Sequence, residues 1–359
     1  MQIEKAIYGF QFRGTPISCI EFGSGHINTT LKIDMDDGNA YVLQKINKHV
    51  FKEPEKVMQN AGAVTNFLRS HSNDPHGALR YIPTIQGTYC YRDEKGEYWR
   101  MYEFVPGFAL DVPESDEDFY QSALAFGRFQ ELLNDFPAHT LHETIPNFRN
   151  TVDRYRQLRE AIAANKAGRL EQVQPQIEYL MSREDLAGTL QRMLELGQLP
   201  LRVTHNDTKL NNVLLDPETR KSVCILDLDT VMPGLSLYDF GDAIRFGAAT
   251  ANEDEKDASQ NKLDLHLFEV YTRGYLEAAP HLTEAEIQML PLSALIITLE
   301  LATRFLKDYL DGDLYFKITY PEHNLVRTRS QLALAADIEK KLPEMERIVR
   351  DVRRSLCNT

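Results

Sequence analysis

The stretch 201-LRVTHNDTKLNNVLLDPETRKSVCILDLDT-230 gathers the side chains best suited to chemistry. A strand-like LRVTH runs into the polar loop NDTKLNN, and VLLD and SVCILDL read as a hairpin about Pro217-Glu218-Thr219. Transfer of a γ-phosphoryl group needs a carboxylate to orient the acceptor hydroxyl and take its proton, and oxygen ligands for Mg2+. It also needs a cation for the developing charge and donors that hold the triphosphate in line. The loop supplies His205-Asn206-Asp207, then Lys209 two residues past Asp207 and Asn212 five past it; Asp227 follows Asn212 by fifteen residues, at the end of an apolar strand. That spacing parallels an H-x-D loop with Asn at five and a later metal-binding Asp. It predicts Asp207 as base, Lys209 as the cation facing the transferred group, and Asn212 and Asp227 as hard oxygen ligands for Mg2+. His205 fits a loop brace better than a proton carrier. An Asn/Asp-rich turn alone is more often only a turn; the added Lys, Asn and strand-end Asp favour chemistry.

These residues need a scaffold. ISCIEF and TTLKIDM flank a turn at Gly23-Ser24-Gly25, and YVLQKI follows the Asp36-Asp37-Gly38 turn, a hairpin signal. Pro54 opens a helix whose apolar positions continue to about Arg69. Strands are expected near 88–91 and 98–104, and Pro106-Gly107 breaks the pattern. From Asp118 the period becomes helical, and helices dominate the remainder, including a charged stretch over about 150–192. The expectation is an α+β, bilobal fold. Residues 1–105 form a small, β-rich, nucleotide-binding lobe, residues 106–359 a larger, mainly helical catalytic and substrate-binding lobe, and 103–107 the linker.

With 43% hydrophobic and 26% charged residues, the 359-residue chain can bury a full core. Its charge, 40 − 53 = −13, repels nucleic acid and anionic lipid and argues against both as partners. Cys19, Cys90, Cys224 and Cys357 are scattered, as in a reduced cytoplasmic protein. The longest apolar run, Leu290–Thr298, is too short to span a bilayer. The patterning assigns no oligomeric state.

HNDTKLNN and the following ILD resemble the aminoglycoside phosphotransferase and choline kinase superfamily, whose fold is protein-kinase-like. FGSGHINTT, YVLQKIN, DLDTVMPGLSLYDFGDAIRFGA and DLYFKITYPEHNLVRTR extend the resemblance to its N-acetylhexosamine 1-kinase branch over nearly the whole chain. The resemblance implies ATP and Mg2+ as cofactors. It implies a small-molecule sugar, N-acetylglucosamine or N-acetylgalactosamine, phosphorylated on its anomeric hydroxyl. Gly23, Ser24 and Gly25 become the loop over the triphosphate. Glu103 and Val105 become the carbonyl and amide that meet adenine, and Asp239 a brace of the catalytic loop. His26, Asn28, Asp229, Arg304 and Tyr315 become candidate sugar contacts beside Asp207, with Tyr315 either an aromatic platform or a buried core residue. Asp229 could equally cap the next turn, Arg304 could pair locally with Glu300, and Asp242 and Arg245 read as a surface pair. One departure stands out: where the superfamily carries a phosphate-binding Lys or Arg in a YVLK-like strand, this chain has Gln44. The helix after it offers Asn60, Gly62 and Ala63 where an acidic partner would sit. Two readings therefore stand beside the sugar kinase: another small-alcohol kinase of this fold (choline, ethanolamine, homoserine or aminoglycoside), and a non-catalytic nucleotide-binding module.

Overall fold

The computed structural model describes residues 2–23, 28–72 and 74–358. By proximity along the backbone the chain divides into two compact units. The first takes residues 1–109, 132–146 and 212–233; the second takes 110–131, 147–211 and 234–359.

The first unit is built on an antiparallel sheet of β1 (Pro16–Glu21), β2 (Thr29–Met35), β3 (Ala40–Ile46), β4 (Tyr91–Arg92) and β5 (Tyr98–Glu103), in the order β1-β2-β3-β5-β4. The β2–β3 turn closes on Gly38, whose φ of 84° is cheap only for glycine. Alternation sends Leu31, Ile33, Leu43, Trp99 and Met101 into one core, which also receives Ala6, Ile7 and Phe10 from or just after α1 (Gln2–Ile7). That helix was not anticipated, because six residues give too short a period to read. Trp99 is a core residue, its indole N–H donating to Asp93 at 3.0 Å. Helix α2 (Pro54–His71) starts at its proline and buries Val57, Met58, Asn60, Ala61, Val64 and Leu68. The later segments add β7 (Val213–Leu215) paired with β8 (Ser222–Ile225).

The second unit is helical. It contains α3 (Asp116–Leu132, all but its last residue), α4 (Thr151–Ala164), α5 (Gln174–Met181), α6 (Glu184–Ala187), α7 (Thr189–Glu195), α8 (Ser236–Gly247), α9 (Leu265–Ala278), α10 (Glu284–Asp311) and α11 (His323–Cys357). The short strand β6 (Arg202–Thr204) completes the set, with Gly234 of β9 (Met232–Gly234), whose first two residues belong to the first unit. The axis of the unit is α10. Thr283 and Glu286 form a reciprocal capping box at its start, and Gly312 ends it at φ 101°. It is long and apolar enough to cross a membrane, but 83% of its most apolar window is buried inside the protein, so it serves as a core helix. Gly241 lets α8 approach closely: a Cβ there would lie 2.6 Å from the Ser293 carbonyl of α10.

Candidate active site

In the second unit the loop after β6 hangs on one carboxylate. Asp239, buried in the first turn of α8, accepts the backbone N–H of His205 and of Asn206, each at 2.8 Å, and the Gln130 amide at 3.2 Å. Thr208 adds a hydroxyl bond to the Asp239 carbonyl at 2.7 Å. Burial pushes the Asp239 carboxyl up to about 6, while His205, both backbone donors and Arg149 pull it the other way. His205 is fully buried between Phe126 and Phe129, as a brace would be. Asn206 takes the left-handed conformation, φ 67°, which Asn tolerates better than most residues. The loop delivers Asp207 half-buried, with Lys209 Nζ 3.2 Å from its carboxylate. Desolvation works against the Lys209 charge, but Asp207 and Asp242 outweigh it and hold its pKa above the ordinary value.

Behind the loop lies a buried charge network that sequence reading missed. Arg149 donates to the Asn206 carbonyl at 2.7 Å, to Asp242 at 2.9 Å and to Glu300 at 3.2 Å. Asp242 also accepts from Arg245 at 3.0 Å. Asp242 and Arg245 were expected on the surface. Both are buried, because Arg149 and Arg245 offset the charge of Asp242, and Asp242 and Glu253 offset that of Arg245. Although desolvation opposes it, the pull of Arg149, Arg245 and Lys209 holds the Asp242 carboxyl well below the usual carboxylate range. Glu300, fully buried, is shared by Arg149, Arg154 at 3.3 Å and Arg304 at 3.6 Å. The Arg304 guanidinium also lies over the rings of Phe148, Phe316 and Tyr315, 5.3–5.8 Å from their centroids. Tyr315 is exposed, and its backbone N–H is fixed by Asp308 at 2.8 Å. Asp207, Lys209, Arg304 and Tyr315 thus all belong to the second unit, and Asp207 and Arg304 are linked through the Arg149–Glu300 pairing.

The remaining described candidates belong to the first unit. Asn212 and Asp227 flank the β7–β8 pair, and the Leu226 N–H donates to the Asn212 carbonyl at 2.8 Å. Asn212 is mostly buried, whereas Asp227 is exposed and sits at φ 53°, ψ 62°. Both offer oxygens of the hard kind that suit Mg2+. Among the described residues no three His, Cys, Asp or Glu converge as a metal cage. Gly23 turns at φ 83°, and among the described residues no atom lies within 4 Å of its missing Cβ. Ser24, Gly25 and His26 lie outside the described residues. Glu103 N–H pairs with the Arg80 carbonyl at 3.0 Å. Val105 is half-buried.

Gln44 has no charge, yet a cation stands beside it. The register pairs Gln44 with Arg100, whose Nε donates to the Gln44 side-chain oxygen at 2.8 Å. The Arg100 Nη1 makes a short charged contact with Asp229 Oδ1. Asp229 Oδ2 accepts from Asn28 at 2.8 Å, and the Asn28 oxygen accepts the Asn47 N–H at 2.9 Å. Both Asp229 oxygens are thereby engaged, and the residue is buried within its 3-10 turn. Sequence reading missed Arg100. Its only local signal is alternation, which sets it on the face opposite Trp99 and Met101.

A model of the phosphotransferase enzyme family matches residues 18–281, and the chain belongs to that family. Solved structures with the same fold include a microcompartment-associated aminopropanol kinase (17% identity, 96% of this chain and 98% of the other, TM-score 0.63). Amicoumacin kinase in complex with AMP-PNP, Ca2+ and Ami is similar at 12% identity over 97% and 92%, with a TM-score of 0.58. Choline kinase from Cryptosporidium parvum is similar at 13% identity over 91% and 90%, with a TM-score of 0.56. The fold is protein-kinase-like, an N-terminal sheet lobe followed by a helical lobe, and the family transfers phosphate to an alcohol.

Proposed function

We propose that the chain is an ATP-dependent N-acetylhexosamine 1-kinase that phosphorylates the anomeric hydroxyl of N-acetylglucosamine or N-acetylgalactosamine. The observation that carries the reading is the loop held by Asp239, which presents Asp207 and Lys209 together from a braced backbone. Asp207 accepts the proton of the acceptor hydroxyl as that oxygen attacks, and Lys209, kept charged by its neighbours, offers positive charge to the transferred group. Asn212 and Asp227 would hold Mg2+, which supplies charge neutralisation on the phosphates when bound. Two protein oxygens plus phosphate oxygens and water suit this ion, which seldom sits in an all-protein cage. Gly23 with Ser24 and Gly25 would cover the triphosphate, and Glu103 and Val105 would meet adenine.

Arg304 and the exposed Tyr315 ring are proposed as sugar contacts, with His26 and Asn28 as further candidates; Asp229, buried with both oxygens engaged, is not among them. An amine seated against Arg304 would also face Arg154, since both guanidiniums attend the same Glu300. That favours a neutral sugar over a cationic amino alcohol. The rival acceptor class is motivated by the similar aminopropanol and choline kinases. Incubation with ATP, Mg2+ and a panel of hexosamines, amino alcohols and aminoglycosides should give a sugar 1-phosphate, identified by phosphorus NMR. Product only with amino alcohols or aminoglycosides would replace this acceptor class. ATP binding without transfer to any acceptor would leave a nucleotide-binding module.

A further inference from the structure

We propose that Arg100 and Asp229 form a positioning pair that replaces, on β5 and in the turn after Asp227, the charge absent from Gln44. The proposal rests on reading Asp227 as a metal-binding carboxylate.

Two neutral side chains occupy the places where charge would be expected, Gln44 on β3 and Asn60 on α2, and both lead to the segment around Asp227. Gln44 accepts from Arg100, and Arg100 holds Asp229. Asn60 donates to the Val231 carbonyl at 2.9 Å and to the His142 carbonyl at 2.7 Å. On the other flank, Leu226 N–H is held by the Asn212 carbonyl at 2.8 Å. Residues 226–231 are therefore anchored from a strand pair, a helix and the sheet. Between the anchors Asp227 takes a left-handed conformation, φ 53°, ψ 62°. A non-glycine residue keeps such a conformation where its surroundings over-determine it. Arg100 and Asp229, each 2% exposed, are the charged part of that restraint. The planar guanidinium fork serves two directions at once, Nε to Gln44 and Nη1 to Asp229, which the single ammonium of lysine does not reproduce. Asp229 passes the restraint on to Asn28 at the entry to β2. Arg100 thus acts on the direction of Asp227 through Asp229 and touches no reacting atom.

Groups that orient a metal ligand typically carry about 10–100-fold in metal affinity or activity. The test is acceptor-dependent ADP release by the full chain, titrated with Mg2+ and separately with Mn2+, alongside thermal melts. The variants are Arg100→Lys, Arg100→Met and the double variant R100M/D229N, which strands no buried charge. The double variant is expected to melt near wild type, yet to lose roughly ten-fold in kcat and to need roughly ten-fold more Mg2+ for half-saturation, with little change in acceptor KM. Arg100→Lys should shift the Mg2+ requirement in the same direction by a smaller factor. A folded double variant with wild-type kcat and Mg2+ dependence would overturn the pairing. If the Met variants do not fold, an unchanged Mg2+ requirement in Arg100→Lys overturns it instead. Wild type that releases no ADP with any acceptor removes the kinase reading, and this proposal with it, a result distinct from active wild type with indifferent variants.

Discussion

Asp207 and Asp242 both act on Lys209 and carry different burdens. Asp207, half-buried beside Lys209, is the candidate base, so Asp207→Asn should retain ATP binding by calorimetry while kcat falls at least ~10²-fold. Asp242 is buried among Arg149, Arg245 and Lys209, and its folded-state pKa is lowered. Its charged form stabilises the fold, so the contribution is complete above the unfolded carboxylate value, about pH 4, and is lost as pH falls below it. Asp242→Asn should cost about 3 kcal/mol at pH 7 in urea unfolding, and the gap from wild type should narrow below about pH 4. The spacing of Asp207, Lys209, Asn212 and Asp227 was legible because it lies within one short stretch. Arg100 was not, since its partner Asp229 is 129 residues away and only the β3–β5 register brings Gln44 to it. Arg149 was hidden for the same reason: its carboxylates come from α8 and α10.

At the level of elements, period and turn chemistry carried the reading. The Asp36-Asp37-Gly38 turn, the proline start of α2 and the β7–β8 hairpin follow from local residue types and were legible. Burial of α8 was harder to read. Asp239, Asp242 and Arg245 make SLYDFGDAIRFG look half-polar, yet each polar residue is buried with a partner from elsewhere in the chain. What fixes α8 is its approach to α10 at Gly241. Gly241→Ala should crowd the Ser293 carbonyl and cost roughly 1–3 kcal/mol by overpacking. The measurement is the melting temperature. Since α8 carries Asp239, kcat should fall at a temperature where both proteins remain folded.

For the whole molecule, composition and net charge narrowed the class, and the order of a β-rich part before a helical part gave the fold; both were readable without long-range pairing. The way the chain distributes itself between the two compact units was not, because it depends on contacts far apart in sequence. The sheet-bearing unit is complete only when residues 132–146 and 212–233 join residues 1–109. A fragment of residues 1–109 lacks the Val231 and His142 carbonyls that satisfy Asn60, and the Asp229 carboxylate that satisfies Arg100. It should show weak tertiary signal in near-ultraviolet circular dichroism and be cleaved rapidly by protease.

Synthesis on the ribosome inherits the same condition. At about 5–20 residues per second, the sheet emerges many seconds before residue 233, the last that its unit requires. Until then a buried arginine has no counter-charge and a helix face no cover. The nascent sheet therefore stays incomplete over that interval, and a ribosomal pause placed before residue 233 would lengthen its exposure more than one placed after it.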